Sequence, residues 1–167
     1  MSILCDTCTC SRKCGECTAK ECRKSLDFTV IGTPKGKGRP RFTSAGGRAM
    51  AYTPKATKEA EEAVKEAFSK AFPGVSFGST PVAVRVKAYM PIPKNTSHAQ
   101  KAKMLSGIIR HTHKPDADNI LKLVCDALNG LAFDDDKQII EVWCEKAYSD
   151  VPRTEISVIR IGGDNNA

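Results

Sequence analysis

The chain has 167 residues, 41% of them hydrophobic, which suits one domain able to bury a proper core; no apolar run reaches the ~20 residues of a membrane span. The first residues alternate cysteine with polar groups and lack the apolar stretch of a secretory leader, so a cytoplasmic protein is expected. Lys and Arg total 26 against 19 Asp and Glu, a net charge of +7, which fits a polyanionic partner, although net charge alone mostly reports solubility.

Residues 1–24 stand apart by composition and carry six of the eight cysteines: Cys5, Cys8, Cys10, Cys14, Cys17 and Cys22. Cys5/Cys8 and Cys14/Cys17 are Cys-x-x-Cys pairs, which in a reducing compartment favour a tetrahedral Zn²⁺ thiolate site over a disulfide. The gap between the pairs is short for a zinc module, and a tail whose thiols bind nothing is the alternative. Residues 25–167 make the main domain. In it, Asp27 to Ile31 reads as a short strand that Gly32 and Pro34 stop.

Thr33 to Lys58 holds seven basic residues and no acid. Two glycines and a proline keep Lys35 to Arg41 from being a good helix. Extended, the segment places Lys35, Lys37, Arg39 and Arg41 on one face, a row of phosphate binders for nucleic acid with Arg48 beyond it. A solvated basic loop is the alternative. Thr53-Pro54 then marks a helix start, with Thr53 as N-cap and Pro54 at the first helical position. Ala60, Val64, Ala67, Phe68 and Ala71 follow at helical spacing up to Pro73-Gly74. Val82, Val84, Val86, Ala88 and Met90 alternate with Arg85, Lys87 and Tyr89, as in a half-buried strand. Pro91 to Lys114, with five bases, no acid and all three histidines, reads as a basic loop with a short helix around Gln100 to Ile109. A second amphipathic helix is expected from Pro115 to Asn129, with Ile120, Leu121, Val124, Ala127 and Leu128 as its apolar stripe and Gly130 as its stop. Strands at Ile139 to Tyr148 and Thr154 to Ile161 close a domain of α/β (α+β) class, a small mixed sheet packed with helices.

Between the basic stretches the sign inverts: Pro115 to Asp136 carries six aspartates against the single Lys122. Asp116 and Asp118 enter the second helix, and Asp134, Asp135 and Asp136 follow it after a turn. Whether the two groups meet is not readable from spacing. If they do, their mutual repulsion calls for a cation, and Mg²⁺, a hard ion that keeps several waters, suits oxygen ligands of this kind. The alternatives are ordinary ones. Aspartates at a helix start are favoured by the macrodipole, three aspartates can form a solvated turn, and Lys122 can be a surface partner of Asp118 worth ~0.3 kcal/mol. Asp126 falls in the last turn, where negative charge is mildly unfavourable, and the pattern gives it no role.

The stretch Lys114-Pro-Asp-Ala-Asp-Asn-Ile-Leu-Lys122, then Asp126-Ala-Leu-Asn-Gly130 and Asp135-Asp-Lys-Gln138, resembles the signature of the RusA family of Holliday junction resolvases. Phe28-Thr-Val-Ile-Gly-x-Pro-Lys-Gly-Lys-Gly-Arg-Pro-Arg41 and Tyr52-Thr-Pro54 resemble the N-terminal part of its phage-type members. The likeness runs from Asp27 to Ile161 and leaves out the cysteine-rich start. It implies a homodimeric endonuclease of four-way, branched DNA that needs Mg²⁺, with Mn²⁺ as a substitute, encoded by a bacterium or phage. The family's essential acids fall on Asp116, Asp118 and Asp136 as metal ligands, and its essential lysine on Lys122. The extra Asp134 leaves Asp135 as an alternative third ligand, but counting back from Gln138 favours Asp136. Two rival readings stand beside it: a nuclease of flaps or other branches, and a non-catalytic DNA-binding protein in which the cysteines form a zinc module and the acids are structural.

Overall fold

Runs of period two become strands, and helices follow where the period changes to 3.6. The structure, a computed structural model, describes residues 25–39, 41–45 and 48–161, and across 41–52 the backbone only. Cys5, Cys8, Cys14 and Cys17, and with them the expected zinc segment, lie outside the described residues. In chain order the elements are β1 (Ser25–Ile31), β2 (Arg41–Ala45), β3 (Arg48–Tyr52), α1 (Lys55–Ala71), β4 (Val82–Pro91), α2 (His98–Leu105) and α3 (Ala117–Leu128). A single 3-10 turn (Asp136–Gln138), β5 (Ile139–Ser149) and β6 (Arg153–Arg160) complete it. The class is the expected mixed one, α and β in one sheet-and-helix domain.

The main sheet has the order β1-β6-β4-β5. β6 runs antiparallel to β1 and β4, whereas β4 and β5 are parallel. Parallel neighbours need a crossover, and the stretch carrying α2 and α3 supplies it. β5 and β6 are consecutive in sequence yet not neighbours, because β4 lies between them: its Pro91 pairs with Ser149 and its Tyr89 with Arg153.

β4 sits inside the sheet, and its alternation decides which face is core. Val82, Val84, Val86, Ala88 and Met90 are buried in one cluster with Val64 and Phe68 of α1 and Ile120, Leu123, Val124, Ala127 and Leu128 of α3. Phe68 meets Phe28 of β1 edge-on at 5.4 Å between ring centroids, and burial of one such side chain is worth ~1.5–3 kcal/mol. The opposite row is polar: Arg85 pairs with Glu141 at 3.4 Å, and the Arg153 guanidinium lies 3.7 Å from the centre of the Tyr89 ring. Edge strand β5 leaves Ile140, Val142 and Trp143 exposed. Among the described residues no helix is long and apolar enough to cross a membrane.

Several local details differ from expectation. The β2–β3 hairpin, paired from Arg41↔Tyr52 to Ala45↔Arg48, was not anticipated; its legible signal is Gly46-Gly47 between two five-residue runs. Thr53 does not cap α1: Pro54, with ψ 141°, is the N-cap, and no side chain caps the helix. α2 begins two residues ahead of the expected stretch, because the Ser97 hydroxyl accepts the Gln100 N–H and sets the start there. α3 stops as expected, with Gly130 at φ +71°.

Candidate active site

Asp116 occupies the N-cap position of α3, but its carboxylate makes no cap hydrogen bond. Among the described residues it accepts only the Asn119 side-chain amide, at 3.4 Å, and it is exposed. An ordinary capping role therefore does not account for it. Asp118 follows in the first turn and Lys122 one turn later, both exposed. Among the described residues no carboxylate is paired with Lys122, so the surface ion pair with Asp118 is not formed.

The far end of the site is built by the loop after α3. Phe133 is fully buried; the Phe77 N–H donates to the Ala132 carbonyl at 2.8 Å, and the Asp134 N–H to the Gly78 carbonyl at 3.1 Å. Gln138 braces the same corner by donating from Nε2 to the Gly78 and Thr80 carbonyls at 2.7 and 2.9 Å. Its Oε1 accepts the Asp135 N–H at 2.7 Å, while Asp135 Oδ1 accepts the Lys137 N–H at 3.0 Å. This reciprocal box commits Asp135 to the turn. The Lys137 N–H, acting first, holds the Asp135 carboxyl below its usual range. Asp136 takes no part in the box and is exposed.

Two partly buried cysteines, Cys125 and Cys144, feel the charge of the acids. Burial above all, then the Asp136 carboxylate and Cys144, pushes the Cys125 thiol of α3 up to about 11. Burial raises the Cys144 thiol of β5, Lys146 works against that rise and Asp118 adds to it. The Asp136 charge is thus felt at Cys125 of α3, and the Asp118 charge at Cys144 of β5. Three exposed carboxylates are hard oxygen donors. Among the described residues no three His, Cys, Asp or Glu side chains converge to hold an ion. Such donors are the kind Mg²⁺ takes, commonly one or two carboxylates together with several waters and a substrate phosphate.

The glycine-rich basic segment lies directly against the start of α3. The Lys37 N–H donates to the Asn119 carbonyl at 2.8 Å, and a Cβ on Gly36 would come within 2.8 Å of Pro115 Cβ. The Gly38 N–H donates to Thr57 Oγ1 at 3.1 Å, tying the segment to α1 as well. Lys35 and Arg39 are exposed. Lys37 is not: it ion-pairs with Asp126 and, at 3.4 Å, with Glu61, so a phosphate would have to displace two carboxylates to reach it. Asp126 thereby gains the role that the sequence pattern did not supply. Arg41 and Arg48 sit on β2 and β3, their side chains outside the described set. A cavity of about 240 Å³ lies apart from the acids, between the end of β1, α1 and the buried face of α3.

Lys146 was overlooked at the level of sequence. It stands in the core-facing row of β5, opposite Ala88, and a charge in that row was the available signal.

Among known proteins, the chain is similar to the following. The family model described as Endodeoxyribonuclease RusA matches residues 32–159. The uncharacterized protein YqaN of Bacillus subtilis (strain 168) is 37% identical over 135 residues, which cover 80% of this chain and 94% of that relative.

Proposed function

The chain belongs to the RusA endodeoxyribonuclease family, and from that membership we propose that it resolves four-way DNA junctions by paired, symmetric, Mg²⁺-dependent nicks. The observation that supports the reading is the set of exposed groups on α3, with Asp116 at the N-cap making no cap hydrogen bond, Asp118 in the first turn and Lys122 one turn later. Asp116, Asp118 and Asp136 would hold Mg²⁺, or Mn²⁺ in its place. When bound, the ion supplies charge stabilisation at the scissile phosphate and acidifies a water.

The remaining work falls to this chain's own groups. Lys122, one turn beyond Asp118 and with no carboxylate partner among the described residues, would stabilise the negative charge that builds on the phosphoryl oxygens. Lys35 and Arg39, exposed on a loop anchored to the start of α3, would take flanking phosphates. Such contacts position the DNA by its backbone rather than by base sequence. Two nicks in a two-fold substrate call for two sites related by the same symmetry, so the active species is a C2 homodimer.

The test uses a synthetic four-way junction, a flap and a linear duplex, each with and without Mg²⁺, with the nicks mapped. Wild type should cut the junction symmetrically and only with metal. Asp118→Asn should bind it nearly as well without cutting. Preferential cutting of the flap would favour the branched-DNA alternative. Absence of metal-dependent nicking on every substrate would leave a non-catalytic DNA-binding protein.

A further inference from the structure

The candidate ligands come from two segments separated along the chain. Asp116 and Asp118 open α3, whereas Asp136 lies in the turn that leads straight into β5. Between them run the rest of the helix and a loop. Lys146 of β5 reaches across this divide. Its ammonium donates to the His113 carbonyl at 2.9 Å and to the Pro115 carbonyl at 3.0 Å. Pro115 immediately precedes Asp116. Both carbonyls stand ahead of the first helical turn.

The placement is specific. Lys146 shares its row with Cys144, and its register partner Ala88 is fully buried, so the stem rises from the core side of the sheet. The charge is felt by both neighbours of the site: it holds down His111, after burial, and opposes the rise of Cys144. Gly36 closes the other side of Pro115, leaving no room for a Cβ. Pro115 is thus held between a backbone wall and an ammonium.

Resting on the proposed junction-cutting site, we infer that Lys146 is a positioning residue that fixes the start of α3, and with it Asp116 and Asp118, against the strand that follows Asp136. An arginine, with several N–H groups in a planar fork, can serve two carbonyls. A methionine of similar length can serve neither.

The experiment compares wild type, Lys146→Met, Lys146→Arg and Lys146→Gln as full chains. Mn²⁺ binding is followed by electron paramagnetic resonance without DNA, counting the site that Asp118→Asn removes. Junction cleavage is titrated with Mg²⁺ alongside, and thermal melts report folding. A folded Lys146→Met should lose ~10–100-fold in Mn²⁺ affinity, the usual effect of removing a group that orients ligands. Its kcat should fall while KM for the junction holds, and Lys146→Arg should recover most of both. Wild-type Mn²⁺ affinity in folded Lys146→Met, or no recovery in Lys146→Arg, overturns the inference. Should Lys146→Met not melt cooperatively, Lys146→Gln decides: intermediate affinity supports the inference and wild-type affinity overturns it. Weakened Mn²⁺ binding in a chain that cuts no junction would sink the functional reading alone. Junction cutting by wild type and Lys146→Met at equal rates would sink this inference alone. A wild-type chain that takes up no Mn²⁺ at millimolar ion, with or without the junction, overturns both.

Discussion

Asp135 and Asp136 are adjacent, chemically identical and put to different uses. Asp135 is spent on the 3-10 turn, where the Lys137 N–H holds its carboxyl low. Asp136 is exposed and takes no part in the box between Asp135 and Gln138. Asp136→Asn should therefore lower the cleavage rate by ~100-fold or more, since a lost ion contact is worth several kcal/mol and each 1.36 kcal/mol is tenfold. Asp135→Asn should lower the melting temperature and leave the rate within a few-fold; a rate loss as large as that of Asp136→Asn would reverse the assignment. Cys125 carries the clearest dependence on pH. Its folded pKa is raised from 9.0 to about 11, so its neutral thiol stabilises the fold below the unfolded pKa. That contribution is lost as pH rises through about 11. Thermal melts should fall between pH 9.0 and about 11, and less so in Cys125→Ala. At this scale the family likeness favoured Asp136 over Asp135, but no local pattern showed that Asp135 is committed to the turn, because that depends on a Gln138 side chain anchored to residues 78 and 80.

The second helix was legible as an element, since Ile120, Val124, Ala127 and Leu128 do face the core. Asp118, Lys122 and Asp126 follow at intervals of four, but they do not share one face. A helix turns about 100° per residue, so eight residues carry Asp126 about 80° round from Asp118. That rotation hands Asp126 to Lys37 and leaves Asp118 with β5. The basic loop was recognised by its glycines, but the reason for them is tertiary: the loop rides on the start of α3. Gly36→Ala drives a Cβ to 2.8 Å from Pro115, and overpacking of that kind costs ~1–3 kcal/mol. The expected result is a lower melting temperature together with weaker cleavage, measured on the same preparation. Unchanged values for both would show that the loop has another seat in solution.

Across the whole molecule, the charge of +7 and the exposed bases beside the acids make junction affinity a salt-dependent quantity. Log affinity should fall linearly with log salt, and neutralising Lys35 and Arg39 together should reduce that slope by about two, since each phosphate contact contributes about one. Sedimentation equilibrium should give twice the chain mass of 18.1 kDa for the proposed two-fold species; a single-chain mass under cleavage conditions would argue against it. The sequence by itself determined the class of fold, the main helices and strands and the acidic motif, because periodicity, turn residues and family signature are local properties of a chain. Tertiary structure decided the rest: that β4 separates β5 from β6, that Lys37 is matched by Asp126 and Glu61, and that Lys146 reaches the carbonyls ahead of α3. Those outcomes depend on distances between residues far apart in sequence, which only packing around the buried face of the sheet can set. The acidic stretch was therefore visible as composition, and its division into free and committed carboxylates was visible only in the fold.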